Sequence, residues 1–158
     1  MVPPPDGPVR ASGAGPGRAA RWNAAVVAAV DERTMLVSIE QAHWTDGTLF
    51  DLARIGARCR EVGAVFAVDA TQTAGAMPID VDALGIDALV VHCYKSMLAS
   101  YGLGFVALSG RFADGEPLEE GWLVRAGSED FAGLVDYQDA YAAGMRRFDT
   151  SLRSNGML

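Results

Sequence analysis

The sequence predicts an α/β fold, a mostly parallel sheet flanked by helices. Three observations carry that prediction. Short apolar runs recur along the chain, with Ala64-Val65-Phe66-Ala67-Val68 the purest, and runs of this kind suit parallel strands covered by helices on both faces. Stretches of helical spacing stand between them. Two of the runs end in residues able to do chemistry, and open α/β sheets gather ligands at the carboxyl ends of their strands.

The elements follow in order. Residues 1–20 form an expected flexible segment rich in Pro and Gly, containing Pro3-Pro4-Pro5 and Ser12-Gly13-Ala14-Gly15-Pro16-Gly17, which buries little surface for the chain entropy lost on ordering. Its glycines follow no strand, so a phosphate-cradling loop is the weaker reading there. Globular patterning runs from Arg21 to Leu158, one domain by default, with a helix from Trp22 to Asp31 and a buried strand over Thr34-Met35-Leu36-Val37-Ser38-Ile39. Thr48, three residues before Asp51, suggests a capping-box start for a helix carrying Leu49, Leu52, Ile55, Gly56, Cys59 and Val62 on one face, closed by Gly63. The apolar run then leads to Asp69. A turn through Gly75 and Pro78 precedes a short helix at Asp80 to Leu84, and a strand at Asp87 to Val91 delivers His92-Cys93-Tyr94-Lys95. Leu103 to Leu108 is a further strand, and Phe131 to Arg147 has helical periodicity interrupted by Gly133 and Gly144.

Composition narrows the function classes. Twenty acids oppose 13 bases for a net charge of −7, which disfavours attraction to nucleic acid or to anionic lipid. The longest apolar run, Ala24 to Val30, is far shorter than the ~20 residues that span a bilayer. With no apolar signal segment in view, the expected location is cytoplasmic. Cys59 and Cys93 lie in no metal-ligand spacing, so they are expected to be core thiols and no metal is expected.

Lys95 is the single lysine of a chain with twelve arginines. An amine condenses with an aldehyde and sheds its proton when partly buried, and a guanidinium does neither. Asp69, Gln72 and Lys95, placed at the carboxyl ends of two strands of one sheet, point to pyridoxal phosphate. That cofactor needs an amine for its aldehyde and a carboxylate beside its ring nitrogen in a water-poor site. In this reading Lys95 is catalytic and holds the aldehyde as an internal imine. Asp69 pairs with the ring nitrogen, Gln72 reaches the ring hydroxyl, Thr71 packs under the ring, and His92 and Tyr94 donate to the phosphate. Singly, each has a plainer role: a turn or cap for Asp69, a solvated group for Lys95, a satisfied polar residue for His92 or Tyr94.

The segments Asp46-Gly47-Thr48, Val68-Asp69-Ala70-Thr71-Gln72-Thr73-Ala74-Gly75, Pro78-Ile79-Asp80, Tyr94-Lys95 and Tyr101-Gly102-Leu103-Gly104-Phe105 resemble the class V aminotransferase group of fold type I pyridoxal phosphate enzymes. Gly121-Trp122, Gly127-Ser128-Glu129-Asp130-Phe131 and Arg146-Arg147-Phe148-Asp149 extend the resemblance, which covers roughly Trp22 to Asn155. It implies part of a fold type I large domain over 21–158 and transaminase, lyase or epimerase chemistry on amino acids or related amines as small-molecule substrates. It also implies the site roles named above and a homodimer in which the Arg125 to Ser128 region reaches across the subunit interface. His43-Trp44 stands where the desulfurase branch carries Asn, which argues against that branch, and Ala99-Ser100 replaces the family's usual Gly-Pro. The family's phosphate loop and its small domain have no counterpart in this sequence. The alternative expectation is therefore a noncatalytic remnant that folds or associates without turnover. A nucleotide-binding Rossmann-like module ranks last, because no glycine-rich turn joins a strand directly to a helix.

Overall fold

The computed structural model describes residues 17–136 and 138–149, which fall into two compact units dividing between Ala107 and Leu108. The expected flexible segment lies outside the described residues as far as residue 16.

The first unit runs α1 (Gly17–Ala29), β1 (Leu36–Glu40), α2 (Leu52–Val62), β2 (Val65–Asp69), α3 (Val81–Leu84), β3 (Ala88–His92) and β4 (Gly104–Leu108), the last ending where the units divide. The sheet order is β1-β2-β3-β4. β1 pairs in parallel with β2, Leu36 opposite Val65 through Glu40 opposite Asp69, and β2 in parallel with β3, Asp69 opposite Val90. Each expected strand is present, shifted by one or two residues toward the carboxyl side at its start. α1 opens five residues before the Trp22 expected from periodicity.

Caps account for the helix limits. Asp51, not Thr48, caps α2: its carboxylate accepts the Arg54 N–H at 3.1 Å, and Gly63 closes the helix at φ 76. Thr48 instead donates its N–H to Asp46 Oδ1 at 3.0 Å, inside the turn that leaves β1. α3 is likewise capped by Asp80, which accepts from Ala83 N–H, and ends at Gly85 with φ 67.

Burial alternates along the strands. Val37, Phe66, Val68, Leu89 and Val91 are buried under α2 residues Leu52, Ile55 and Cys59, which form one core cluster with them. The next residues along each strand, Leu36, Val65, Ala67, Ala88 and Val90, are exposed or half-buried. The expectation of helices on both faces is therefore corrected: among the described residues one face is covered. Successive strands add in one direction, and right-handed crossovers then bring α2 and α3 to the same side.

α1 is pinned to this layer by Asn23, whose Oδ1 accepts the Asp51 N–H at 2.7 Å, and by Trp22, which stacks on Phe50 at 5.8 Å and meets the His43 ring edge-on at 4.9 Å. Arg18 adds an ion pair to Asp46 at 2.5 Å, with both side chains at most 14% exposed.

The second unit contains short 3₁₀ turns at Gly110–Phe112, Trp122–Val124, Phe131–Asp136 and Gly144–Phe148 and an antiparallel bridge between Arg125 and Tyr141. A continuous helix over Phe131 to Arg147 does not form. Gly144, at φ 61, turns the backbone out of the helical region, and Gly133 has no side chain with which to hold it.

Gly56 faces α3 so closely that an added Cβ would lie 2.1 Å from the Leu84 carbonyl oxygen and 3.1 Å from the Phe66 ring. In an open helix Gly→Ala gains about 1 kcal/mol; here the sign reverses. Gly56→Ala is expected to cost roughly 1–3 kcal/mol or more, read as a lower urea midpoint.

The Asp46 carboxyl sits below the usual aspartate range, first because the Thr48 N–H donates to it and further because of the nearby Arg18 and His43 charges. A carboxylate so shifted contributes stability above its unfolded pKa of about 3.9 and loses it as pH falls through the lower folded value. Asp46→Asn should therefore lower stability at neutral pH and flatten its fall below about pH 4, as read from urea midpoints across that range.

Candidate functional site

The parallel register sets the carboxyl ends of β1, β2 and β3 side by side, so that Glu40, Asp69 and Val90 lie in one row. Everything that leaves these ends leaves one edge of the sheet.

Asp69 ends β2 on the uncovered face and is exposed. Its Oδ1 accepts the Thr71 N–H at 2.8 Å, so the carboxylate first serves its own turn. Thr71 in turn accepts the His92 N–H on its hydroxyl at 3.0 Å, joining the exits of β2 and β3, while the Ala70 N–H reaches the Val90 carbonyl at 2.9 Å. Gln72 is half-buried on this turn.

Lys95 rides on the loop between β3 and β4. The Cys93 N–H donates to the Leu103 carbonyl at 2.9 Å, the Ala99 N–H to the Cys93 carbonyl at 3.0 Å, and the Leu98 N–H to the Lys95 carbonyl at 2.9 Å, which closes a tight arch. Leu98, where φ is 56 and 90% of the residue is exposed, carries the arch's backbone strain just ahead of the Ala99-Ser100 pair. Aromatic rings support the arch. Tyr94 stacks on Tyr101 at 4.5 Å, His92 meets Tyr94 edge-on at 5.1 Å, and Lys95 Nζ lies 5.5 Å from the Tyr94 ring centre. A cation over a ring face is attracted by the ring quadrupole.

The Asp69 turn and the Lys95 arch touch. Gly75, at φ 85, comes so near the arch that a Cβ there would stand 2.8 Å from the Ser96 carbonyl oxygen. Two contacts thus join the segments, His92 to Thr71 and Gly75 to Ser96, and all six sequence-chosen residues, Asp69, Thr71, Gln72, His92, Tyr94 and Lys95, belong to them. Asp69 and Lys95 form no ion pair with each other among the described residues. Among the described residues the Asp69 carboxylate is exposed on the open sheet face.

Sequence reasoning passed over two residues. Gln41 and Thr73 are 8% and 3% exposed and share a side-chain hydrogen bond, the Thr73 hydroxyl donating to Gln41 Oε1. A polar pair split between two segments leaves no local pattern to read.

Elsewhere, Arg125 is engaged within the second unit, pairing with Glu120 and donating to the Asp139 carbonyl, while its guanidinium lies 4.7 Å from the centre of the Tyr141 ring. Ser128 is buried and donates to the Leu123 carbonyl at 3.2 Å. Both side chains are thus engaged within the second unit. The two cysteines are buried, as expected of core thiols, and burial pushes the Cys59 thiol up.

A family model described as aminotransferase class V matches residues 19–130. A probable cysteine desulfurase of Methanothermobacter thermautotrophicus is 37% identical over 118 residues, covering 73% of this chain and 30% of that protein. An uncharacterized aminotransferase of Bacillus subtilis is 31% identical over 122 residues, covering 77% of this chain and 31% of its own. Among solved structures, the apo cysteine desulfurase of Thermococcus onnurineus superposes with a TM-score of 0.66 at 24% identity, over 81% of this chain and 30% of that one, a likeness of fold. The chain spans about a third or less of the length of these relatives. The reading against the desulfurase branch, drawn from His43-Trp44, finds no support in relatives that carry that name.

Gly75→Ala must place a side chain both at positive φ and against the Ser96 backbone, at a cost of roughly 1–3 kcal/mol. It should lower the melting temperature and speed amide exchange across residues 93–99, while exchange in α2 is little changed.

Proposed function

The chain belongs to the class V aminotransferase family, and from that premise we propose that it is part of a pyridoxal phosphate-dependent enzyme acting on amino acids or related amines. The observation that carries the proposal is the meeting of the Asp69 turn with the Lys95 arch at one sheet edge. A carboxylate, an amide, a hydroxyl, an imidazole, a phenol and the chain's single lysine amine are gathered there, a donor set that fits this cofactor.

When bound, pyridoxal phosphate supplies an aldehyde that joins amines and a protonated ring that draws electrons from the substrate's α-carbon. Lys95 would hold the aldehyde carbon and then carry the α-proton, a task suited to an amine that ionises reversibly. Asp69 would keep the ring nitrogen protonated by opposite charge. Gln72 would orient the ring hydroxyl and Thr71 support the ring, with His92 and Tyr94 donating to phosphate. Transamination, elimination and epimerisation are all open to this set. The proposal extends to a homodimer, as the family resemblance implies, in the cytoplasm.

A second reading is favoured by one specific observation. Asp69 is exposed and one sheet face is uncovered, and a water-screened carboxylate holds a pyridinium weakly. A chain in this state folds, and binds cofactor weakly or without turnover.

The test is chemical. The purified chain is incubated with pyridoxal phosphate, reduced with borohydride and mapped. A single modified side chain at Lys95, absent from Lys95→Ala, supports the proposal; modification confined to the N-terminal amine overturns it. An adduct without turnover supports the second reading. Where turnover is measurable, Asp69→Asn should reduce it roughly 10- to 100-fold, the range of one charge-assisted hydrogen bond, and reduce adduct formation far less.

A further inference from the structure

We propose that Gln41 is a positioning residue for the site, holding the Asp69–Thr73 turn in its cofactor-binding shape through Thr73. The inference rests on the pyridoxal phosphate reading for its purpose, though not for its geometry.

Gln41 is the first residue after β1 and engages the turn that follows β2 at both ends. Its backbone N–H donates to the Asp69 carbonyl at 3.1 Å, continuing the ladder by one rung. Its side-chain oxygen receives the Thr73 hydroxyl four residues further on. The Gln41 carbonyl is itself held by the Phe50 N–H at 3.0 Å, so the residue is anchored to the start of the next helix. Thr73 is equally fixed, with its N–H on the Ala70 carbonyl at 2.9 Å and its carbonyl accepting from Ala76 and Met77. Both side chains are more than nine-tenths buried. The Thr73 hydroxyl also lies 3.4 Å from the Ala70 carbonyl, so losing Gln41 leaves it that longer partner, while losing the hydroxyl leaves Gln41 Oε1 buried without its donor.

The direction of the constraint matters. Between the two anchor points lie Ala70, Thr71 and Gln72, and Asp69 itself precedes them. β3 holds the same turn from the opposite side through Ala70 to Val90 and Thr71 to His92. Those bonds fix the turn's near half, up to Thr71. Gln72, the residue assigned to the ring hydroxyl, lies beyond them, and the Thr73 hydroxyl on Gln41 is the side-chain tie that fixes its far side. The Gln41–Thr73 bond thus sets the orientation of Gln72 relative to Asp69 and touches neither cofactor nor substrate.

The experiment separates this claim from the reading on which it rests. Amide hydrogen exchange of the cofactor-free chain is followed at Thr71 and Ala74, whose N–H groups donate within the turn to Asp69 Oδ1 and the Ala70 carbonyl. Thr73→Val, which keeps shape and removes the hydroxyl, should speed exchange at Ala74 on the far side roughly tenfold, the equivalent of about 1.4 kcal/mol, with Thr71, held from β3, and the α2 amides little changed. Thr73→Ser should restore wild-type exchange. If Thr73→Val does not fold, Gln41→Leu gives the same reading by removing the acceptor. Pyridoxal phosphate titration of the same chains should show a matching loss of affinity in Thr73→Val and recovery in Thr73→Ser. Unchanged exchange in Thr73→Val, or faster exchange spread evenly over α2, overturns the clamp. Altered exchange with unaltered cofactor affinity overturns its positioning role. Absence of any Lys95 adduct in the wild-type chain sinks the cofactor reading instead, and exchange still decides the clamp.

Discussion

Parallel, in-register pairing of β1, β2 and β3 is the constraint from which the rest of the first unit follows. Three strands running the same way deliver their carboxyl ends to one edge, so Glu40, Asp69 and Val90 stand in a row and the turns after them become neighbours. Antiparallel pairing of the same strands would send alternate turns to opposite edges. Asp69 and Lys95 would then be separated by the length of the sheet, and no loop conformation could reunite them.

Holding that edge falls to side chains that serve the backbone before any ligand. The Asp69 carboxylate accepts its own turn's N–H, the Thr71 hydroxyl accepts from His92, and Gly75 gives up a side chain so that backbone can lie against backbone at Ser96. These are the plain structural roles such residues have in any turn. Here the two kinds of role coincide: a turn organised by its own polar groups also aims the remaining ones. The Tyr94–Tyr101 stack does the same for the arch, supplying rigid aromatic surface beside the single lysine amine.

Uncovered sheet surface sets the limit on the chemistry. With helices on one face, the core around Phe66, Ile55 and Val68 is fully closed, while Leu36, Val90 and the Asp69 carboxylate remain in contact with water. Electrostatic control of a cofactor ring depends on excluding water, since the same charge pair is several-fold stronger at low dielectric. Under the proposed pyridoxal phosphate reading, the field that Asp69 could exert on a bound ring would depend on water being excluded from that face.

Residue type and spacing alone determined where the strands fall along the chain, because apolar runs bounded by glycine, proline and acids are local signals. Lys95 and Asp69 stood out in the sequence as candidates, one by its uniqueness and the other by standing where an apolar run stops. Helix limits were less legible. α1 opens at Gly17 rather than Trp22, through contacts of Arg18 with Asp46 that no local window contains, and periodicity over Phe131 to Arg147 gave way to separate 3₁₀ turns. Only the tertiary structure decided which sheet face is covered, that Asp69 is exposed, and that Gln41 finds Thr73. Each depends on where a segment distant in sequence comes to rest, and pairwise burial of that kind leaves no periodic trace in either partner.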